Sequence, residues 1–481
     1  MSETETLTPD ICVIGAGSGG LTVAAAAAAF GVPVVLIEKA KMGGDCLNTG
    51  CVPSKSLIAA AKYAHAIARA KTFGIAARGY EVDFARVHKH VHDVIAAIEP
   101  NDSRERFTAL GVRVVAGAAR FRDAHTVVAA LATGEDVEVK ARRFVIATGS
   151  SPSLPPIPGL AAAPCLTNES VFDLTTRPAH LVVIGAGPVG LELAQAFRRL
   201  GSAVTVLEAG EPLGREDPEC ARVVLDALAR EGVELRASTA VVRVEGVEGK
   251  VNVGIRGETG EETVAGSHLL VATGRRANVE GLGLEQAGIR YDGAGILVGK
   301  GLKTANKRVY AIGDVAGRGQ FTHLAAHHAG LVIRNALFRL PVRVNEDVVP
   351  RVTFTDPELA HVGLSEAEAR RRRKDFRVLR WPYHENDRAQ TERDTGGHIK
   401  VITSSRGRIL GATIVGPGAG ELITTWTLAV SRRLNVRALA GIIVPYPTLA
   451  EVGKRAAVTY FMPGLSRPSL QRLIAWLRRL G

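Results

Sequence analysis

An apolar run over Asp10 to Ile14 stops at the glycines Gly15, Gly17 and Gly20. A short unbroken apolar run bounded by turn residues is the pattern of a strand buried on both faces. Leu21 to Phe30 is alanine-rich and free of helix breakers, so it is predicted to be a helix, closed by Gly31 and Pro33. Val34 to Ile37 is a second β-branched run, ending in Glu38. The pattern therefore reads strand, glycine turn, helix, strand.

The same pattern returns further along. Leu181 to Ile184 is the strand, Gly185, Gly187 and Gly190 the turn, Glu192 to Leu200 the helix, and Val204 to Leu207 the second strand, ending in Glu208. Each of these glycines and Glu208 stands 170 positions after its counterpart. In dinucleotide-binding folds the first glycine turns the chain, the second lets backbone approach a pyrophosphate and the third lets helix and strand pack closely. The acidic residue at the second strand end suits the hydroxyls of an adenosine ribose. A single match is weak evidence, but two in register predict two dinucleotide-binding folds. Glu208 repels a 2′-phosphate and favours NADH over NADPH, while Arg215 nearby keeps NADPH open.

Cysteine chemistry enters between the two repeats. Gly43 to Lys55 reads GGDCLNTGCVPSK, and the run Ser56 to Arg69 is helical in composition. Pro53 stands where a helix is expected to begin, which puts Cys51 at a helix N-terminus, where the positive helix end favours a thiolate. Cys46 and Cys51 are five apart, so a bridge between them needs an irregular loop, and Thr49 with Gly50 supplies one. A zinc reading is poorer, because no second Cys or His pair stands nearby at ligand spacing. Cys12, Cys165 and Cys220 read as small apolar side chains.

Composition narrows the class. The 481 residues, 46% hydrophobic and 22% charged, are those of a folded protein of two or three domains. The net charge of +12 is dispersed apart from Arg370 to Lys374 and Arg472 to Arg479, and no series of aromatic residues interleaves with it to make a stacking platform. Nucleic acid is therefore not an expected partner. The start, MSETETLTPD, is neither a secretory nor a transit signal, and the longest apolar stretch is broken by Gly31 and Pro33. A cytoplasmic location with no membrane partner is the expectation. Leu470, Ile474 and Leu477 recur at helical spacing beside Arg472, Arg478 and Arg479, an amphipathic pattern that reads either as packing on its own domain or as a docking face.

With these residues in view the chain resembles the class I flavoprotein disulfide reductases, of the glutathione reductase, dihydrolipoamide dehydrogenase and mercuric reductase type. The likeness rests on GGDCLNTGCVPSK, on VIATGS at Val145 to Ser150, VATGRRAN at Val271 to Asn278, AIGD at Ala311 to Asp314 and FTDPELAHVGLSEAEA at Phe354 to Ala369. It implies an α/β fold with two Rossmann-like dinucleotide-binding domains, for FAD and NAD, plus a C-terminal α+β dimerisation domain. The corresponding boundaries are 1–155 and 276–345 for FAD, 156–275 for NAD(P) and 346–481 for dimerisation.

The resemblance also implies roles. FAD sits on Gly15, Gly17, Gly20 and Gly43, with Glu38 on its ribose, Asp314 on its ribityl chain and Thr148 and Gly149 beside it. The nicotinamide cofactor sits on Gly185, Gly187, Gly190, Glu208 and Gly274. Cys51 is the thiol nearest the flavin and Cys46 the interchange thiol that attacks the acceptor. Lys55 lies near flavin N5 and pairs with Glu192. The helix from His323 to Arg334 aims its positive end at the flavin, although His323 and His327 on one helix face also permit a metal reading. No metal site is assigned.

One segment departs from the family pattern. Where these reductases carry His-Pro-Thr with Glu three residues after the Thr, this chain reads PYPTLAEVGK, so Tyr446 replaces the histidine while Glu451 fits. A phenol is a donor but a poor base near neutral pH. Oxidation of a dihydrolipoamide is thereby disfavoured, and a small disulfide or a soft metal ion is the expected acceptor, with Tyr446 and Glu451 completing the neighbour's site in a homodimer. Two alternatives stay open: a flavin-dependent NADH oxidoreductase that uses quinone or oxygen, and a lipoamide-dehydrogenase-like subunit of a larger complex.

Overall fold

The computed structural model describes residues 5–76, 79–258, 260–372 and 375–480. Met1 to Thr4 of the acidic start and Arg373 and Lys374 of the basic run lie outside the described residues. The chain divides into two compact units: Met1–Gly185, Ala196–Thr205 and Ala240–Val344 form one, and Ala186–Gln195, Val206–Thr239 and Asn345–Gly481 the other.

The first unit is built on an eight-stranded sheet. Its spatial order is Glu5–Leu7, Asp136–Val139, Thr126–Leu131, Arg113–Asp123, Val34–Glu38, Ile11–Ile14, Arg143–Ile146 and Val309–Ala311. The last four strands are parallel, with Ile11 opposite Val34 and Arg143, and Val309 opposite Phe144. Both faces of Ile11–Ile14 are buried, as its unbroken apolar run requires. One face packs on the helices Ser18–Ala29 and Thr322–Ala336, and the other on Phe121, Phe144 and Leu284. Gly19 explains how the two helices come so close: a Cβ there would lie 3.1 Å from Ile312 Cδ1 and 3.3 Å from Ala325 Cβ. Each aliphatic side chain fully buried in such a core contributes about 1.5 to 3 kcal/mol.

The predicted elements stand at their positions. The first repeat forms Ile11–Ile14, Ser18–Ala29 and Val34–Glu38, and the second forms His180–Ile184, Pro188–Arg199 and Ala203–Leu207. Within the first unit His180–Ile184 runs parallel to His268–Val271, which in turn pairs with Cys165–Leu166. Lys250–Gly257 is the middle strand of an antiparallel three-stranded sheet with Ala240–Val247 and Gly260–Gly266.

The second unit carries an antiparallel sheet of five strands in the order Arg351–Thr353, Glu358–Gly363, Ile409–Gly416, His398–Ser404 and Phe376–Pro382. Helices Ala419–Ser431 and Ala450–Thr459 bury Ile423, Trp426 and Val452 against it. Lys400 from this sheet is itself buried. Its Nζ meets Asp217 Oδ2 at 2.8 Å, Glu366 Oε2 at 2.7 Å and Glu219 Oε2 at 3.1 Å, so a charge removed from water is matched by carboxylates. Asp217 also caps helix Pro218–Arg230, accepting from the Glu219 N–H.

Candidate active site

The repeat in sequence is also a repeat of contacts. The Ala16 N–H donates to Glu38 Oε2 at 2.6 Å and the Ala40 N–H to Glu38 Oε1 at 2.8 Å. In the second copy the Ala186 N–H donates to Glu208 Oε2 at 2.8 Å and the Gly210 N–H to Glu208 Oε1 at 3.0 Å. Each carboxylate thus ties the glycine turn to the end of the second strand.

The turns need glycine for steric reasons. Gly15 and Gly185 have φ of +103° and +108°, and a Cβ there would stand 2.4 Å from Ala147 O and 2.5 Å from Ala272 O respectively. At Gly20 a Cβ would stand 1.9 Å from Gly15 O. The second glycine of each turn is different. Around Gly187 nothing comes within 4 Å of a Cβ position, and at Gly17 only Gly44 Cα does, at 4.0 Å. Gly149 and Gly274 are equally open. These strips of bare backbone fit the close approach of a pyrophosphate.

The cysteine segment is held against the first turn. Gly43 N–H donates to Ala16 O at 3.0 Å, and a Cβ on Gly44 would lie 2.7 Å from Gly17 Cα. Cys46 lies in a short helix, Gly44–Asn48, which is more regular than the loop its spacing predicts. The break comes at Thr49 and Gly50. Cys51 then opens helix Cys51–Arg69, two residues earlier than the position of Pro53 suggests. The break itself is specified: Thr49 Oγ1 donates to Asp45 Oδ1 at 2.8 Å, and Asn48 Nδ2 donates to Gly44 O at 2.8 Å.

This break brings the two thiols together. Cys46 and Cys51 are both free thiols and are hydrogen-bonded to one another. Thr322, the first residue of helix Thr322–Ala336, places its Oγ1 3.5 Å from Cys51 Sγ. The Cys51 thiol is lowered to about 6, first by the Cys46 hydrogen bond and then by Thr322 and the Lys55 charge, against the opposing effect of burial. Cys46 is raised, by its bond to Cys51 and by burial. At neutral pH the reduced pair is therefore one thiolate and one thiol, with the charge on the helix-terminal sulfur. Lys55 lies one turn further along the same helix and donates to Ser54 Oγ at 3.3 Å.

A polar chain runs from Asp45, the residue before Cys46, to Asp314. Ser150 Oγ donates to Asp314 Oδ2 at 2.6 Å, and Arg275 Nε donates to the same Ser150 Oγ at 2.8 Å. Arg275 Nη2 reaches Ser150 O at 2.8 Å and Asp45 Oδ2 at 3.3 Å. Asn168 Nδ2 bridges Asp45 Oδ1 and Thr49 O, both at 3.1 Å. Burial raises the Asp314 carboxyl, with Ser150 and the Arg275 charge working the other way. Thr148 Oγ1 donates to Asn278 O at 2.8 Å, which fixes the VIATGS strand end against VATGRRAN.

In the second unit Glu192 is buried and accepts from the Phe354 N–H at 2.8 Å. Tyr446 is 69% exposed and donates to Asp387 Oδ2 at 2.7 Å. That bond, with a smaller effect from Glu451, raises the phenol. Glu451 lies in the first turn of helix Ala450–Thr459. Of the other cysteines, Cys12 and Cys220 are buried and their thiols are pushed up by that burial.

Thr322, Arg275, Asn168, Asp45 and Asp387 are not singled out by sequence reasoning. Arg275 and Asp45 lie inside quoted motifs, but nothing in the motifs says that they meet. Thr322 directly precedes His323, and its hydroxyl reaches the Cys51 sulfur.

Known proteins resemble this chain along most of its length. Residues 9–329 match the family model described as pyridine nucleotide-disulphide oxidoreductase, and residues 349–457 match the dimerisation domain of the same family. The chain is 36% identical over 454 residues to a mercuric reductase of Streptomyces lividans, covering 94% of this chain and 96% of that protein. It is 35% identical over 457 residues to dihydrolipoyl dehydrogenase 3 of Pseudomonas aeruginosa, covering 93% of this chain and 97% of that protein. Among solved structures, LpdA of Mycobacterium tuberculosis superposes with a TM-score of 0.87 at 29% identity, covering 94% of this chain and 99% of that one. A Cu(II) complex of the HOCl-induced flavoprotein disulfide reductase RclA of Escherichia coli gives 0.82 at 28% identity, with coverage of 92% and 98%.

Proposed function

Because the chain belongs to the pyridine nucleotide-disulphide oxidoreductase family, whose enzymes take reducing equivalents from NAD(P)H through FAD, we propose that it reduces the Cys46–Cys51 couple and passes two electrons on to a small disulfide or a soft metal ion. The observation that carries this reading is the pair of hydrogen-bonded thiols at the start of helix Cys51–Arg69, with Cys51 lowered to about 6.

Bound FAD supplies a two-electron relay between the nicotinamide and the sulfur pair. The chain's own residues do the rest. Two electrons and one proton open the disulfide to a Cys51 thiolate and a Cys46 thiol. Thr322 and Lys55 hold the negative charge on Cys51, and Cys46 is left as the sulfur that meets the acceptor. With a disulfide acceptor, Cys46 attacks one sulfur and the other leaves as a thiol; Cys51 then displaces the bound half and the couple is reoxidised. With a thiophilic metal ion, the two sulfurs are the ligands.

Gly15, Gly17, Gly20, Gly43, Glu38, Thr148, Gly149 and Asp314 hold FAD in this reading, and Gly185, Gly187, Gly190, Glu208 and Gly274 hold the nicotinamide. Glu208, a carboxylate whose two oxygens accept backbone N–H bonds and which has no cation bonded to it among the described residues, favours NADH. Lys55 and Glu192 steady charge at the flavin. In this reading 1–155 and 276–345 serve FAD, 156–275 NAD(P) and 346–481 dimerisation, and the protein works as a cytoplasmic homodimer in which Tyr446 and Glu451 complete the neighbouring site. Tyr446 supports an acceptor other than dihydrolipoamide, because a phenol raised by Asp387 is even less ionised at neutral pH and so less able to take a proton from an incoming dithiol. The mercuric reductase relatives point towards a soft metal ion, and the Cu(II) complex of the RclA protein adds a second thiophilic metal to the acceptors worth testing.

The test is a steady-state screen with NADH against lipoamide, glutathione disulfide, mercuric and cupric ions and a quinone, on the parent and on Tyr446→His. A disulfide or metal ion turned over in a Cys46-dependent way supports the reading, and lipoamide turnover gained by Tyr446→His shows that the phenol alone excludes it. Full turnover with every acceptor in Cys46→Ser overturns it.

A further inference from the structure

The last helix, Pro468–Leu477, lies beyond the segment that matches the dimerisation domain and contains no buried residue. At about 100° per residue, Leu470, Leu473, Ile474, Trp476 and Leu477 fall within one arc of about 160°. Arg472, Arg478 and Arg479 lie on the opposite side and border that arc on both edges. Leu473 is 49% exposed and Trp476 56%, so this face is not packed on the chain's own domain.

Charge decides what such a face suits. After Glu451 no Asp or Glu side chain occurs, while Lys454, Arg455, Arg467, Arg472, Arg478 and Arg479 all follow it. Two copies of this helix laid face to face would bring arginine rows together. A protein groove would cover the apolar arc but meet arginines on both rims at once. An anionic lipid surface answers every part of the pattern: the apolar arc sinks among acyl chains, Trp476 sits at the arc's edge, and the arginines extend on both sides to phosphates.

We propose that Pro468–Leu477 docks the protein on anionic phospholipid, lying in the plane of the membrane surface. Ten residues span about 15 Å, half the thickness of a hydrocarbon core, and among the described residues no helix is long and apolar enough to cross a membrane. The contact is therefore peripheral and reversible. It stands apart from the identity of the electron acceptor, since none of its residues belongs to the proposed redox site.

The test is co-sedimentation of the full-length flavin-loaded protein with phosphatidylcholine vesicles and with vesicles of equal parts phosphatidylcholine and phosphatidylglycerol. Binding to the anionic vesicles alone is expected, with partitioning lowered at least about tenfold by high salt and by the triple variant Arg472→Glu, Arg478→Glu, Arg479→Glu. Leu473→Glu with Leu477→Glu is expected to abolish it at unchanged flavin content and NADH oxidation. The proposal is overturned by absence of binding to anionic vesicles, by equal binding to neutral ones, or by binding that survives both variants. It is also overturned if the leucine variant lowers the mass in light scattering, which assigns the face to a second copy, or sheds a co-purifying acidic protein.

Discussion

Tyr446 donates its phenolic hydrogen to Asp387 Oδ2 at 2.7 Å, and this bond sets what the tyrosine can do. A phenol bonded to a carboxylate holds its proton to higher pH, because ionising it would place two negative charges side by side. In Asp387→Asn the Tyr446 ionisation is expected to fall back towards its ordinary value of 10.0, measured as the tyrosinate difference spectrum against Tyr446→Phe. The sign for stability follows: a group raised in the folded state stabilises below its unfolded value and loses that contribution as pH rises through the folded one. An unchanged Tyr446 titration in Asp387→Asn would show that the carboxylate has no hold on it.

Cys51 has the opposite sign. Its thiol is lowered from 9.0 to about 6, so the folded state gains stability above pH 9 and loses it as pH falls through about 6. In the reduced protein, iodoacetamide alkylation of Cys51 is expected to rise with a midpoint near pH 6. Cys46→Ala removes the leading hydrogen bond and moves that midpoint up by ~1 to 2 pH units, and Thr322→Val moves it by less. A midpoint that stays put in Cys46→Ala contradicts the geometry.

Arg275 joins Ser150, Asn168 and Asp45, three groups drawn from separate parts of the chain. Arg275→Met leaves Asp45 without its cation and Ser150 without two donors. The expected loss is about 2 kcal/mol, discounted because the Asp45 side chain is 40% exposed. Urea unfolding followed by flavin fluorescence measures it. The same substitution is expected to raise the Asp314 carboxyl further, since the Arg275 charge opposes the effect of burial.

The two glycine classes separate cleanly under substitution. Gly20→Ala places a methyl 1.9 Å from Gly15 O and is expected to prevent the first turn from forming, giving protein without flavin. Gly187→Ala meets nothing within 4 Å, so the chain folds with its flavin and the Michaelis constant for NADH rises, by about tenfold, as the methyl occupies space beside the backbone. Spectra and steady-state kinetics on the two purified variants distinguish these outcomes.

Much of the site is written locally. The glycine turns, the carboxylates at the strand ends, the thiolate at a helix start and the replacement of histidine by Tyr446 all depend on residues close together in the chain. Local sterics and helix dipoles act over one turn, which is why two repeats 170 positions apart can be read from sequence alone. Helix ends are less legible: Cys51 opens its helix ahead of Pro53 because Asp45 and Gly50 shape the break before it.

What the tertiary structure alone decided is which distant groups touch. Cys51 and Thr322 are 271 positions apart, Ser150 and Asp314 are 164, and Tyr446 and Asp387 are 59. Spacing along the chain carries no information about such pairs. The first two exist because the large sheet sets the parallel strands Val34–Glu38, Ile11–Ile14, Arg143–Ile146 and Val309–Ala311 side by side, which delivers the segments that follow them to one end of the sheet. Hydrophobic pattern determined that these strands would form; packing of the sheet determined which polar side chains would meet above them.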